Sequence, residues 1–173
     1  SEPREDNPDY GYFEVNGSGY EPKGEVRLDG SIIEPLNHPE FLFAAKVATL
    51  GSTARVVYDE KDKRWRVSGD PTEAALIVLG EKAGFHKDDL ERELPMIAEI
   101  PFDYQLKYHA TLYNTGKKNL LILIGAPEAI LTRSTSVREG SKNRKLARST
   151  LQQLVVVYTT LSSEGLRVLA YAV

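Results

Sequence analysis

The stretch SGDPTEAALIVLGEKAG, residues 68–84, passes from polar to apolar residues and marks the start of a helix. Asp70 lies where an N-cap side chain accepts backbone N–H groups, and Pro71 suits the first helical position. Glu73 follows Asp70 by three residues, the spacing of a capping box. Gly84 suits the residue after a helix end. The pattern predicts a helix whose first turn carries more polar groups than a helix start requires.

The segments around this helix alternate between strand-like and helix-like patterns. Upstream, they predict a loosely ordered acidic lead-in over residues 1–10, a short strand in YFEV, a helix over residues 39–50 and a hairpin over residues 53–69. Downstream, they predict helical turns in HKDDLEREL and extended structure over residues 99–125, with a hairpin turn at NTGKK. They then predict a helix starting at APEAIL, a helix over residues 144–162 and a buried final strand in GLRVLAYAV. Hairpins interleaved with helices indicate an α+β (mixed α/β) fold with a mostly antiparallel sheet.

Length and composition describe one ordinary globular domain over residues 1–173. The chain has no cysteine and three histidines far apart in sequence, so a metal site built by this chain is not expected. A net charge of −3 argues against a nucleic-acid binder that neutralises phosphates. Apolar runs such as LLILIGA are too short to cross a bilayer, so this segment is not expected to insert into a membrane.

Common nucleotide and hydrolase motifs are absent from the sequence. It contains no G-x-x-x-x-G-K-[ST] phosphate loop, no G-x-G-x-x-G fingerprint and no G-x-S-x-G elbow. One basic stretch, REGSKNRKLAR at residues 138–148, is interpreted as a solvated loop and helix start, with an anionic-surface binder as the alternative.

Five short stretches, taken in order, resemble a known family. They are GSGYEPKGE (residues 17–25), GDPTEAAL (69–76), PFDYQLKYHATL (101–112), GAPEAIL (125–131) and GLRVLAYA (165–172). Their order and spacing are similar to those of the nucleotide-binding domain of P-type cation-transporting ATPases, and the resemblance covers nearly the whole chain. It looks closer to the calcium, sodium–potassium and proton pumps than to the heavy-metal pumps.

The resemblance implies a twisted, mostly antiparallel sheet flanked by helical hairpins, in a cytoplasmic domain of an integral membrane protein. Its partners would be ATP and the phosphorylation and actuator domains of the same pump, with magnesium bound to ATP in the full-length protein. The phosphorylated aspartate of the family lies in a DKTGT motif that this sequence lacks. The segment is therefore expected to be excised from a longer pump and to bind ATP weakly without turning it over.

The same resemblance assigns roles to individual residues. Phe102 would stack on adenine, Glu73 would accept from the adenine amino group, and Lys107 would meet the negative charge of the nucleotide. Thr72 and Asp70 would shape the pocket beside Glu73, and Arg167 would reach the phosphate side. Gly125 and Ala126 would let the base and ribose approach the backbone. No residue of this segment is assigned a catalytic role.

Each of these roles has a structural alternative. Phe102 could be a core residue at a strand end, and Lys107 could be an ordinary surface lysine. Arg167 could belong to a surface ion pair. Glu73 could serve as a helix cap without binding a nucleotide.

Three positions depart from the family pattern. Ile124 stands where the family usually has lysine, Tyr104 where many members have arginine, and His109 where methionine is common. Loss of a hydrogen bond from the lysine would weaken binding by roughly ten- to a hundredfold. These departures leave open an alternative: a regulatory or protein-interaction module of the same fold with weakened or lost nucleotide binding.

Overall fold

A computed structural model describes residues 12–173, which form short strands and helices throughout. The lead-in predicted over residues 1–10 lies outside the described residues. Within the described part, all strand pairings are antiparallel, and the strands fall into four separate sheets of two to four strands. The α+β fold class predicted from the sequence is confirmed.

The first elements form a small sheet that leads into a long helix. They are β1 (Phe13–Val15), β2 (Val26–Leu28), β3 (Ser31–Ile33), a 3₁₀ helix (Pro35–Asn37) and α1 (Pro39–Gly51). The strand in YFEV and the helix near residues 39–50 are confirmed. The β2–β3 hairpin is additional to the prediction, and it turns at Asp29 and Gly30, which both have positive φ.

The next elements contain the helix with the polar first turn. They are β4 (Arg55–Asp59), β5 (Arg64–Ser68), α2 (Pro71–Lys82) and α3 (Lys87–Glu93). Asp70 caps α2 as predicted, because its Oδ1 accepts the N–H groups of Thr72 at 2.7 Å and Glu73 at 3.3 Å. Gly84 follows the helix end with φ +84°, and the Phe85 N–H donates to the Gly80 carbonyl. This arrangement is a glycine-terminated helix end.

The largest sheet has four strands in the order β11-β8-β7-β6. Its strands are β6 (Met96–Asp103), β7 (Tyr108–Asn114), β8 (Asn119–Gly125) and β11 (Ala170–Ala172). The hairpin at NTGKK is confirmed between β7 and β8. The prediction of one extended run before it was incomplete, because residues 104–107 form a second turn. There the Asp103 Oδ1 accepts the N–H groups of Gln105 and Leu106.

The C-terminal part corrects three predictions. It contains α4 (Pro127–Leu131), β9 (Ser136–Glu139), β10 (Lys142–Lys145) and α5 (Arg148–Ser163). Within the basic stretch at residues 138–148, residues 138–145 form most of a β9–β10 hairpin that turns at Gly140, where the prediction had a loop, and only the last residue, Arg148, starts a helix. Helix α5 therefore begins at Arg148, later than the predicted residue 144. The final strand has only three residues and is half-buried, so its prediction as a longer buried strand was wrong.

Helix α1 packs on one face of the four-stranded sheet and forms the main core there. The buried residues of this cluster are Val47, Leu50, Leu90, Tyr113, Ile122 and Ile124. Gly51, the last residue of α1, allows this approach, because a Cβ atom there would collide with Ile122 and Ile124. Gly80 similarly lets α2 lie against Thr49 of α1. The sheet, α1 and α2 thus form one packed unit. No helix within residues 12–173 is long and apolar enough to span a bilayer.

Candidate functional site

An open cleft of about 570 Å³ lies where the first turn of α2 meets the β6–β7 turn and the end of β8. This volume lies within the range typical of small-molecule sites. The cleft is lined by Asp70, Thr72, Glu73, Phe102, Tyr104, Lys107, His109, Ile124, Gly125, Ala126, Arg167, Val168 and Leu169. The structure therefore brings together every site residue named from the sequence, although they come from four separate stretches. Val168 and Leu169, which the sequence had placed in a strand, line the cleft as well.

One wall of the cleft is aromatic and open to solvent. Phe102, at the end of β6, is 47% exposed, and Tyr104 in the following turn is 89% exposed. Their rings meet edge to face, with centroids 5.3 Å apart and planes at 84°. The alternative that Phe102 is a core residue is wrong, because its ring lies at the surface of the cleft. An exposed aromatic face of this kind can stack on a flat ligand.

The Glu73 carboxylate is fixed by a loop outside the cleft. Its Oε2 accepts two hydrogen bonds from Thr53, one from the backbone N–H at 2.6 Å and one from the hydroxyl at 2.8 Å. The predicted capping box is therefore not completed, because the carboxylate binds Thr53 rather than the N–H of Asp70. The other oxygen, Oε1, lies 3.5 Å from the Nδ1 atom of His109. The side chain remains 14% exposed and contributes to the cleft lining.

His109 forms part of the floor of the cleft and is almost completely buried. Its Nε2 atom lies 2.6 Å from the carbonyl oxygen of Gly51. Because a carbonyl only accepts, Nε2 must carry the proton in this hydrogen bond. The other ring nitrogen, Nδ1, faces the Oε1 atom of Glu73 at 3.5 Å. The carboxylate of Glu73 is therefore the acceptor that this part of the cleft offers.

The floor is anchored by side chains that bind the carbonyl groups at the end of α1. The Lys87 ammonium donates to the carbonyls of Thr49 and Ser52, the Tyr113 hydroxyl donates to that of Leu50, and His109 binds that of Gly51. These donors satisfy carbonyls that a helix end leaves unpaired. Burial lowers the pKa of Lys87, an effect that the nearby Glu91 carboxylate opposes. Burial raises the pKa of Tyr113 to about 12.

Lys107 lies at the mouth of the cleft and is paired with an acidic residue. Its ammonium is 2.9 Å from the Oε1 atom of Glu128, and both side chains are about half exposed. The hydrogen bond raises the pKa of Lys107 and lowers that of Glu128. Lys107 also has a φ of +61°, which holds the β6–β7 turn in a left-handed conformation. Exposed pairs of this kind are weak and open easily in favour of a more strongly charged partner.

Arg167 reaches the first turn of α2 from the segment before β11. Its Nη1 atom donates to the Thr72 hydroxyl at 2.6 Å, so the guanidinium stands beside the cleft rather than in the surface ion pair considered from the sequence. Burial tends to raise the pKa of Asp70, but hydrogen bonds from Thr72 and Glu73 and the charge of Arg167 lower it overall. Asp70 is thus an ionised helix cap at the edge of the cleft.

At the end of β8, Gly125 and Ala126 lie against the neighbouring strand, and the contacts of Gly125 are with protein atoms. A Cβ atom at residue 125 would collide with the Lys107 carbonyl and with Tyr108 on the neighbouring strand. The Ala126 N–H donates to the same Lys107 carbonyl at 2.9 Å. Glycine is therefore required by the β7–β8 pairing itself. Ile124 is 1% exposed and packs against the end of α1, so it contributes an apolar surface and no charge.

Residues 41–173 match the family model described as P-type ATPase, cytoplasmic domain N. This match covers more than half of the chain. The chain belongs to this family of N domains. The resemblance noted from the sequence is confirmed, and it extends through the four stretches that line the cleft.

Curated relatives of this N domain are cation-transporting ATPases. The chain is 32% identical over 163 residues to the probable cation-transporting ATPase F of Mycobacterium bovis, a match that covers 93% of this chain and 18% of that protein. It is 29% identical over 161 residues to a calcium-transporting ATPase of Bacillus subtilis, covering 92% and 18%. It is 31% identical over 151 residues to the sodium/potassium exporting P-type ATPase cta3 of Schizosaccharomyces pombe, covering 86% and 14%. The chain thus spans less than a fifth of the length of these relatives.

Two residues of the N domain that hold the site were not found from its sequence. Thr53 binds Glu73, and Glu128 binds Lys107, although neither lines the cleft. Glu128 had a sequence signal of its own, because it lies in APEAIL, and carboxylates are favoured in the first turn of a helix. Thr53 gave no local signal. Residues 12–173 contain no group of three His, Cys, Asp or Glu side chains that could hold a metal ion.

Proposed function

We propose that this N domain binds ATP in the cleft and delivers it to an aspartate on a separate phosphorylation domain, where phosphoryl transfer drives cation transport. The observation that supports the proposal is the convergence, in one cleft, of an exposed aromatic ring, an acidic acceptor and two cations. These groups are Phe102, Glu73, Lys107 and Arg167. Their chemistry matches, in turn, the base, the exocyclic amino group and the phosphates of a nucleotide.

The adenine would be bound by Phe102 and Glu73. Stacking of a base on an aromatic ring is worth about 1–3 kcal/mol, and the Phe102 ring, about half exposed in the cleft, would provide the surface for it. The Oε1 atom of Glu73 would accept from the 6-amino group. A 6-oxo purine would instead place an oxygen against this carboxylate, which disfavours it.

The phosphates would be bound by Lys107 and Arg167. Lys107 would exchange its exposed contact with Glu128 for the more highly charged phosphates, and Arg167 would extend its planar donors beyond Thr72. The described residues offer no carboxylate cluster for magnesium, so the metal would arrive with ATP and be held elsewhere in the pump. The role of this domain is then to position ATP for transfer.

The complete protein would be a membrane pump, with this domain on the cytoplasmic side next to its phosphorylation and actuator domains. The chain carries no DKTGT sequence, so the domain alone should bind ATP without hydrolysing it. The transported ion would be determined by membrane helices, and no helix within residues 12–173 is long and apolar enough to span a bilayer.

A second candidate function is a regulatory or protein-interaction module with weakened or lost nucleotide binding. The observation that favours it is the buried apolar side chain of Ile124, at the position where the resemblance leads one to expect lysine. Loss of one charged hydrogen bond corresponds to roughly ten- to a hundredfold in affinity.

Titration with ATP, followed by amide NMR shifts, distinguishes the two functions. Under the first, resonances near Phe102, Glu73 and Lys107 shift with ATP, and Phe102→Ala removes most of these shifts. The matched control is Tyr58→Ala, which removes a partly exposed aromatic side chain on the β4–β5 hairpin, outside the cleft lining, and should bind ATP like the wild type. If ATP moved no resonance in the cleft, the module without nucleotide binding would be the better description.

A further inference from the structure

We propose that Thr53 is a positioning residue for adenine recognition, because it holds the Glu73 carboxylate by Oε2 alone and leaves Oε1, on the cleft side near His109, to meet the 6-amino group. This inference rests on the proposed function, and it concerns a residue outside the cleft lining. Thr53 acts on the nucleotide only through Glu73.

The contact between the two residues is made at a single oxygen. The backbone N–H and the hydroxyl of Thr53 both donate to the Oε2 atom of Glu73, at 2.6 and 2.8 Å. Hydrogen bonds to a carboxylate are about twice as strong as those between neutral groups, so this double contact fixes the rotation of the carboxylate. An unrestrained glutamate side chain would lose rotamer freedom when it meets a ligand. Here that freedom is already lost before the ligand arrives.

The loop that carries Thr53 is itself bound to α2, through Glu73, and to α3, through Lys87. The Ser52 hydroxyl donates to the Glu73 carbonyl at 3.0 Å and accepts the Ala54 N–H at 3.2 Å. The Lys87 ammonium binds the Ser52 carbonyl. The backbone donor of Thr53 is therefore held at a fixed place relative to the first turn of α2.

Because Thr53 is exposed, its effect on the Glu73 side chain can be tested apart from its effect on the stability of the fold. Thr53 is exposed, whereas its neighbours Ser52 and Ala54 are buried. Water can replace a lost hydroxyl contact at an exposed position, so removal of the Thr53 hydroxyl should change the stability of the fold little. The orientation of Glu73 would still be less restricted.

The test compares ATP with inosine triphosphate, a 6-oxo purine nucleotide that lacks the amino group. In Thr53→Val, which keeps the shape and the backbone N–H but removes the hydroxyl, the dissociation constant for ATP should rise about threefold to tenfold. The constant for inosine triphosphate should stay unchanged or fall slightly, because its 6-oxo group faces the Glu73 carboxylate and gains nothing from having that carboxylate fixed. Thr53→Ser should restore the wild-type preference, and thermal unfolding should confirm that all variants are folded.

The variant Glu73→Gln provides a second measurement. If Thr53 acts through the Glu73 carboxylate, adding Thr53→Val to Glu73→Gln should change the ratio of the two dissociation constants by much less than it does in the wild-type background. Equal weakening of both nucleotides by Thr53→Val, or an unchanged ratio, would overturn the proposal.

Failure of the inference and failure of the proposed function give different results. If the wild-type domain bound neither nucleotide, or if Phe102→Ala left ATP binding intact, the proposed function would fall and the role of Thr53 with it. If the wild type bound ATP in a manner sensitive to Phe102→Ala, while Thr53→Val left the nucleotide ratio unchanged, only the role of Thr53 would be wrong.

Discussion

At the scale of single residues, the polar groups of the cleft already have protein partners. Glu73 is held by Thr53, Lys107 by Glu128, and Arg167 by Thr72. These contacts differ in kind. The Glu73 contact involves the oxygen that faces away from His109 and leaves the other oxygen available. The Lys107 contact, in contrast, uses the ammonium group that a phosphate would need, so Glu128 would compete with ATP under the proposed function.

The competition predicts that Glu128→Gln strengthens ATP binding. The substitution removes a carboxylate near the phosphates and weakens the hold on Lys107, so the affinity should rise about two- to threefold at low salt and less at high salt. Calorimetric titration at two ionic strengths measures this effect. Glu60→Gln is the matched control, because Glu60 forms a similarly exposed pair with Lys63 outside the cleft lining. Weaker ATP binding by Glu128→Gln would instead mean that Glu128 helps to hold Lys107 in its binding position.

At the scale of secondary-structure elements, the end of α1 supports the floor of the cleft. Four successive carbonyl groups there are bound by Lys87, Tyr113 and His109. The same side chains join α1 to α3 and to β7. The helix end is therefore a junction at which three elements are fixed relative to one another.

Lys87→Met tests this junction. The substitution leaves two carbonyls and the Glu91 carboxylate without their buried donor, which should lower the free energy of unfolding by about 2–4 kcal/mol. Urea unfolding measures the change, and Lys118→Met, at an exposed position in the β7–β8 turn, should stay within about 0.5 kcal/mol of the wild type. A neutral or stabilising effect of Lys87→Met would mean that the cost of burying the ammonium exceeds the value of its contacts.

The elements differ in how far their sequence predicts them. Helix α2 was predicted because Asp70, Pro71 and Gly84 act locally at its two ends. The β9–β10 hairpin was missed even though Gly140 marked its turn, because the basic residues around it were interpreted as solvated loop. The contact of Thr53 with Glu73 could not be predicted from local pattern, since it depends on how the loop after α1 packs against α2.

At the scale of the whole molecule, the site depends on the packing of α1 and α2 with the four-stranded sheet. The cleft residues come from stretches as far apart as Asp70 and Arg167, and only the common packing brings them together. The family resemblance gave the positions of these residues, and the structure adds their partners. Conditions that loosen this unit should therefore weaken ATP binding as well as stability.

Alkaline pH provides such a condition, through two tyrosines of the four-stranded sheet, the fully buried Tyr113 and the half-buried Tyr171. Burial raises the pKa of both Tyr113 and Tyr171 to about 12, against an ordinary value near 10. A raised pKa in the folded state means that the stabilisation is complete below pH 10 and is lost as the pH rises from about 10 to 12. Each tyrosine contributes at most about 3 kcal/mol to this loss.

Guanidinium unfolding between pH 9 and about 11.5 should therefore show that the free energy of unfolding falls steeply. In Tyr171→Phe the fall should be shallower, because phenylalanine has no proton to release. Tyr104→Phe is the matched control, since the Tyr104 ring is 89% exposed and folding changes its hydration little. An equal slope for Tyr171→Phe and the wild type would mean that the Tyr171 hydroxyl reaches solvent in the folded protein. In that case the alkaline loss of stability would have to come from Tyr113, whose ionisation would remove the donor for the Leu50 carbonyl and loosen the floor of the cleft directly.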